Sequence, residues 1–157
     1  MKPRVYLETS VVSYLVGRLS RDVVVLGNQE LTREWWENRR AEYDLFVSEV
    51  VIAEAAIGDA ELARQRLAIC EDLRLLAVTD EAEHLAPLLL KATAMASNAE
   101  TDALLIAVQP FMAWTICSRG TVATSPMRQS VAQSTTHCRA SGYEPPVICT
   151  PQELIER

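Results

Sequence analysis

The sequence is poorest in the residues that most often announce a cofactor or metal site. It has two histidines, His84 and His137, too few for a histidine-rich metal centre. Its four cysteines (Cys70, Cys117, Cys138, Cys149) form no CxxC pair and have no zinc-like spacing to histidine. They read as buried or idle thiols in a reducing compartment. Five glycines occur and none falls in a GxGxxG, so a glycine-rich phosphate loop is missing. That ranks a nucleotide-binding α/β module of the usual kind last. No apolar run reaches membrane-spanning length, and Glu8 interrupts the apolar N-terminus too early for a signal peptide. A cytoplasmic protein without a membrane segment is expected.

Acids are missing from one long stretch. Residues 1–102 hold eighteen acids and eleven bases, net -7, whereas residues 103–143 hold no acid and three bases, Arg119, Arg128 and Arg139. The overall charge of -6 argues against a broad basic surface for nucleic acid but leaves a local basic groove open. What remains is ordinary for a packed domain. With 157 residues, 49% hydrophobic and 23% charged, one domain over 1–157 is expected.

Strand and helix patterns alternate. Val5–Leu7 is a short β-prone run, followed by Thr9 or Ser10 as a cap for a helix through Val11, Val12, Tyr14 and Leu15. A helical pattern covers roughly Asp22 to Arg40. Asp44–Val47 reads as strand two, and Ser48 caps a short helix carrying Val51, Ile52, Glu54 and Ala55. Ala60–Leu73 is helical, with Arg64 and Arg66 on its wet side. Leu75–Val78 reads as strand three, and Thr79 or Asp80 caps a helix through Ala92. Glu100–Val108 is a further helix. Pro146–Cys149 is a strand, and Thr150-Pro151-Gln152-Glu153 a helix start with proline at its first position.

The alternation predicts an α/β domain with a parallel sheet, whose sites collect at the carboxyl ends of the strands. Between Gln109 and Thr136 the pattern collapses. Nine of the 22 residues from Thr115 to Thr136 are Ser or Thr, and Trp114–Cys117 is a weak strand candidate. The fourth strand is therefore in doubt.

Three carboxylates stand out. Glu8 ends the first strand amid apolar residues, where an unpaired charge is costly. Glu54 lies on the helix after strand two, and Asp102 in the first turn of the helix before the collapsed segment. In a parallel sheet these positions converge at one end. Converging carboxylates need a cation, and hard oxygens suit Mg²⁺ or Mn²⁺, ions that activate water for phosphodiester hydrolysis. Each acid also has a plainer reading: Asp102 as a helix-dipole partner, Glu54 as a solvent-facing salt-bridge residue. Trp35-Trp36, beside Arg33, Arg39 and Arg40, suits either nucleotide stacking or core packing on an amphipathic helix. His84, among acids, reads as a surface residue.

Val5-Tyr6-Leu7-Glu8-Thr9-Ser10-Val11, then Ser48-Glu49-Val50-Val51 leading to Glu54, then Thr101-Asp102-Ala103 with Ile106-Ala107, resembles the PIN-domain family. The VapC-type toxin branch is the nearer likeness, because Pro145–Pro151 is similar to its Pro-Pro-Val-Ile-Cys-Thr-Pro ending. The likeness covers residues 1–108 and about 139–157. It implies a three-layer α/β/α sandwich on a parallel sheet of about five strands and an RNA-cleaving enzyme that uses Mg²⁺ or Mn²⁺. By position it implies that Glu8, Glu54 and Asp102 hold the metal, with Thr9 or Ser10 helping near metal or phosphate. It further implies a cognate antitoxin and a homodimer. Glu8 stands where aspartate is more usual, and Leu105 where the branch commonly has histidine.

The branch also leads one to expect a strand followed by Thr-x-Asn or Thr-x-Asp in the collapsed segment. Gln109–Ser125 instead reads QPFMAWTICSRGTVATS. One permitted coding of these residues, read two bases later, spells AVHGMDYLLTWNCRHIA. It contains a strand-like Asp-Tyr-Leu-Leu and then Thr-Trp-Asn, as the resemblance implies. A frameshift near Val108, compensated near Pro126, explains the missing element. A divergent loop is the alternative. As written, the chain is expected to lose an internal strand and to be impaired, or to be a non-catalytic remnant that binds an antitoxin or RNA.

Overall fold

A computed structural model describes residues 2–76, 114–117, 139 and 147–156. It is a mixed α/β structure built on parallel strands. In chain order it runs β1 (Arg4–Leu7), α1 (Thr9–Val16), α2 (Val23–Asn38), a 3₁₀ turn (Arg40–Glu42), β2 (Asp44–Val47), α3 (Glu49–Ala55) and α4 (Ala60–Glu71). Then come β3 (Arg74–Leu75), β4 (Trp114–Cys117), β5 (Val147–Cys149) and α5 (Pro151–Ile155).

The strands lie in the order β3-β2-β1-β4-β5, and every pair is parallel. β1 is central and its Val5, Tyr6 and Leu7 are fully buried. A parallel strand covered on both faces has no wet side, so it reads as a continuous apolar run. Successive strands step outward from β1 to β3, and the chain then returns to lay β4 on the other side of β1. That reversal puts a switch point between β1 and β4, where crevices open beyond the carboxyl ends of the strands.

β4 corrects the doubt about a fourth strand. Trp114–Cys117 pairs with β1 from Arg4↔Trp114 to Leu7↔Cys117, and with β5 from Thr115↔Val147 to Cys117↔Cys149. Trp, Thr and Ile favour extended backbone, and two ready neighbours satisfy the strand's peptide groups on both sides. The internal strand is kept in the chain as written.

Local signals explain most helix ends. Asp22 caps α2, its carboxylate accepting from the Val24 and Val25 amides at 2.9 and 3.1 Å. Ser48 caps α3 and Asp59 caps α4. Thr150 and Glu153 form a reciprocal capping box around Pro151 on α5. Gly58, at φ +100°, makes the left-handed turn between α3 and α4 that a side chain would strain. Gly17 ends α1 where a Cβ would lie 2.8 Å from the Ser13 carbonyl.

Three expectations shift. Glu8, rather than Thr9 or Ser10, occupies the cap position of α1, and its side chain makes no capping hydrogen bond. β3 begins at Arg74, one residue before the expected strand. Arg66 is not simply on the wet side of α4. It is half-buried, and its guanidinium donates to the Ala55 carbonyl at 2.9 Å and the Ile57 carbonyl at 2.5 Å, closing the end of α3. The helices expected after Thr79 and over Glu100–Val108, with His84, lie outside the described residues, as do His137 and Cys138.

One core joins the sheet to its helices. Val11 and Val12 of α1, Trp35 of α2, Val51 and Ala55 of α3, Cys70 of α4 and Leu154 of α5 pack on the strands. Trp35 is fully buried, which settles this half of the tryptophan pair as core. The C-terminal helix is tied back by Tyr43, whose hydroxyl donates to the Leu154 carbonyl at 3.2 Å, and by Arg39, which donates to the Ile155 carbonyl. Among the described residues no helix is long and apolar enough to cross a membrane.

Candidate functional site

Two of the three predicted acids meet at the carboxyl end of the sheet. Glu8 directly follows β1 at the switch point. Its backbone amide donates to the Cys117 carbonyl at 3.1 Å, so the end of β4 fixes where the glutamate leaves the sheet. The Glu8 carboxylate is half-buried and accepts from the Ser10 hydroxyl at 2.8 Å. Neither the helix cap nor an ion pair among the described residues occupies it.

Glu54 reaches the same neighbourhood from the next strand. Ser48 follows β2, and its buried hydroxyl accepts from the Val51 amide and shares a 3.0 Å hydrogen bond with the Tyr6 hydroxyl of β1. That bond locks the start of α3 to the central strand. Six residues from the cap, Glu54 is exposed, and its carboxylate accepts from the Thr9 hydroxyl. The salt-bridge reading of Glu54 finds no partner among the described residues.

The Glu8-Thr9-Ser10 element therefore serves both acids. Ser10 turns back to Glu8, while Thr9 crosses to Glu54. Thr9 and Ser10, predicted near a metal or phosphate, contact the carboxylates directly. Asp102, the third predicted acid, lies outside the described residues.

Sequence reasoning missed the residues that hold α3 in place. Tyr6 reads only as part of the β-prone run Val5–Leu7, and Arg66 as a cation on the wet side of its helix. Nothing in their spacing signals the hydrogen bonds that they make across 42 residues and across 11.

The donor set suits a hard divalent cation in kind. Carboxylate and hydroxyl oxygens are its preferred donors, and Mg²⁺ is commonly held by one or two carboxylates while keeping several waters. Among the described residues no cluster of three or more His, Cys, Asp or Glu side chains is close enough to hold an ion. Glu8 and Glu54 are the two predicted metal-binding acids that fall among the described residues.

The Cys117 thiol at this end of the sheet is chemically quiet. Cys117 and Cys149 are register partners at the ends of β4 and β5, and both are buried. Burial pushes the Cys117 thiol well above its usual range, reinforced by the neighbouring Cys149 and by the negative charge of Glu8 and Glu153. Burial also raises Cys70. A thiol held protonated in this way is a poor nucleophile. The chain matches no family model, and no curated protein is significantly similar to it in sequence.

Proposed function

We propose that this chain is a metal-dependent ribonuclease of the PIN type, the toxin of a toxin–antitoxin pair. The observation that supports the reading best is the pair of hydroxyl–carboxylate hydrogen bonds at the carboxyl end of the sheet. Thr9 and Ser10 orient two carboxylates, Glu8 just after β1 and Glu54 on the helix that follows β2, that have no ion-pair partner among the described residues. In this reading Glu8, Glu54 and Asp102 hold Mg²⁺ or Mn²⁺. When bound, the ion activates water and neutralises phosphate charge. Thr9 and Ser10 set the carboxylate rotamers, and Tyr6 and Arg66 keep α3 in place behind Glu54.

The wider reading has a three-layer α/β/α arrangement of one domain, a homodimer, a cytoplasmic location, and an antitoxin partner. It also retains the frame reading. A frameshift near Val108 and its compensation near Pro126 give a chain with Thr-Trp-Asn after the fourth strand, adding a polar group. The codons under Trp114–Ser118 spell Asp-Tyr-Leu-Leu in that frame, so both frames put a strand-forming run at β4. Sequencing the gene across codons 105–130 tests this. A pair of opposing insertions and deletions relative to close relatives is expected, and their absence refutes the frameshift.

Cleavage of a labelled RNA tests the activity. Cleavage is expected with Mn²⁺ or Mg²⁺, to cease with chelator, and to be abolished by Glu8→Gln, Glu54→Gln or Asp102→Asn. Cleavage that survives all three substitutions refutes the reading. Soluble protein that never cleaves yet binds antitoxin or RNA establishes the second reading, a non-catalytic PIN-like remnant.

A further inference from the structure

The second half of the tryptophan pair has a different fate from the first. Trp36 is half-buried and lines an open cavity of about 420 Å³ with Arg40, Tyr43, Asp44, Asp72 and Arg74. Asp44 and Arg74 are the first residues of β2 and β3. The cavity therefore lies at the amino end of the parallel sheet, and Glu8 and Glu54 lie beyond the other end. A four-residue strand separates the two ends by roughly 13 Å.

Its lining combines two arginines, two aspartates and two aromatic rings. The Arg40 guanidinium lies 4.7 Å from the Trp36 ring centre, a flat cationic–aromatic wall on which a base can stack. Arg40 has no ion-pair partner among the described residues. Arg74 is mostly exposed and only loosely paired, 3.6 Å from Asp44. Arg74 can exchange its long Asp44 contact for a phosphate, which guanidinium groups grip with paired hydrogen bonds. Asp72 supplies acceptors for the N–H edge of a base stacked on Arg40, and guanine presents two such donors side by side. A glycine-rich loop is unnecessary, because side chains take the place of backbone amides.

We propose that this cavity binds a purine nucleotide, its base stacked on the Arg40–Trp36 wall and its phosphate at Arg74. The proposal is independent of the ribonuclease reading. The nucleotide is either free or the phosphorylated end of an RNA strand.

Isothermal titration of the full chain with GMP, in chelator so that no metal takes part, tests it. Saturable binding is expected, weakened about tenfold by Trp36→Leu, since one stacked base accounts for that much. Arg40→Gln is expected to weaken binding and flatten its salt dependence. Arg40 is exposed, so this variant keeps the test valid if Trp36→Leu does not fold. Glu8→Gln is expected to leave GMP binding unchanged, which separates this cavity from the carboxylate site. A short RNA with a 5′ phosphate that binds more tightly than GMP assigns the site to RNA ends, whereas equal affinity assigns it to free nucleotide. No saturable binding at millimolar GMP, or binding indifferent to both Trp36→Leu and Arg40→Gln, overturns the proposal.

Discussion

The two ends of the sheet are built from opposite materials. Beyond the carboxyl ends, carboxylates meet hydroxyls: Ser10 on Glu8 and Thr9 on Glu54. At the amino ends, arginines meet aromatic rings: Arg40 over Trp36 and Arg74 over Phe46. The first arrangement concentrates negative charge and gives it no counter-ion among the described residues. The second lays arginines on π faces, Arg74 also pairing with Asp44 and Arg40 having no ion-pair partner among the described residues. In the readings proposed above, the first end takes a cation and the second a nucleotide. Parallel strands make this separation possible, because every strand starts at one end and finishes at the other.

The largest expected effect lies at the carboxyl end. Glu54→Gln keeps the shape of the side chain and removes its charge, so metal-dependent RNA cleavage is expected to fall below detection, while Arg40→Gln at the other end preserves kcat. Equal loss in both variants breaks the comparison. Thr9→Val removes the hydroxyl that orients Glu54 and is expected to lower cleavage by about 10- to 100-fold, the usual cost of an outer-shell partner. Its thermal unfolding is expected to change little, which separates orientation from folding.

At the amino end, neighbouring tryptophans sharpen the contrast. Trp35→Ala empties a fully buried site and is expected to destabilise the fold by about 3–5 kcal/mol. Trp36→Ala, half-buried at the cavity wall, is expected to cost roughly half of that or less. Urea unfolding of the two variants measures the difference, and equal losses remove the distinction between core and cavity.

Ser48→Ala removes the cap of α3 and the partner of Tyr6, and is expected to cost about 1–2 kcal/mol in the same assay. Because α3 carries Glu54, cleavage is expected to fall with it. The smallest effect belongs to neither end. Glu61, on the outer surface of α4, is held at about 2 by hydrogen bonds from Arg64 and Gln65. A depressed carboxylate stabilises above its unfolded pKa, and the contribution disappears as pH falls through the folded value. Any stability that Glu61 adds is therefore present at neutral pH and lost between about 4.5 and 2. The pair is fully exposed and screened, so Glu61→Gln is expected to leave the melting temperature at pH 7 nearly unchanged and only to blunt its acid dependence.

Legibility followed the range of the interactions. β2, α3 with its Ser48 cap, and α5 with its proline and capping box lie close to where the residue pattern puts them, because caps and short apolar runs act within a few residues. Glu8 and Glu54 stood out as carboxylates in apolar company. β4 is faintly legible. Trp114–Cys117 is a strand candidate from the β preference of Trp, Thr and Ile, but its place in the sheet comes from β1 and β5, which contact it across about a hundred residues and about thirty. The helix starts after Glu8 for a related reason. Thr9 and Ser10 are good caps locally, but their hydroxyls are drawn to Glu54 and Glu8 instead.

By itself the sequence determined the alternation of strand and helix, the apolar character of β1 and three candidate acids, since each depends on composition over a few neighbouring residues. Tertiary structure decided what those residues meet. It put the four residues of β4 beside β1 and joined Thr9 to Glu54 over 45 positions. It also sent Trp35 into the core while leaving its neighbour Trp36 on a cavity wall. Adjacent residues on a helix point about 100° apart, so identical side chains with the same local context separate as soon as one face of the helix is buried.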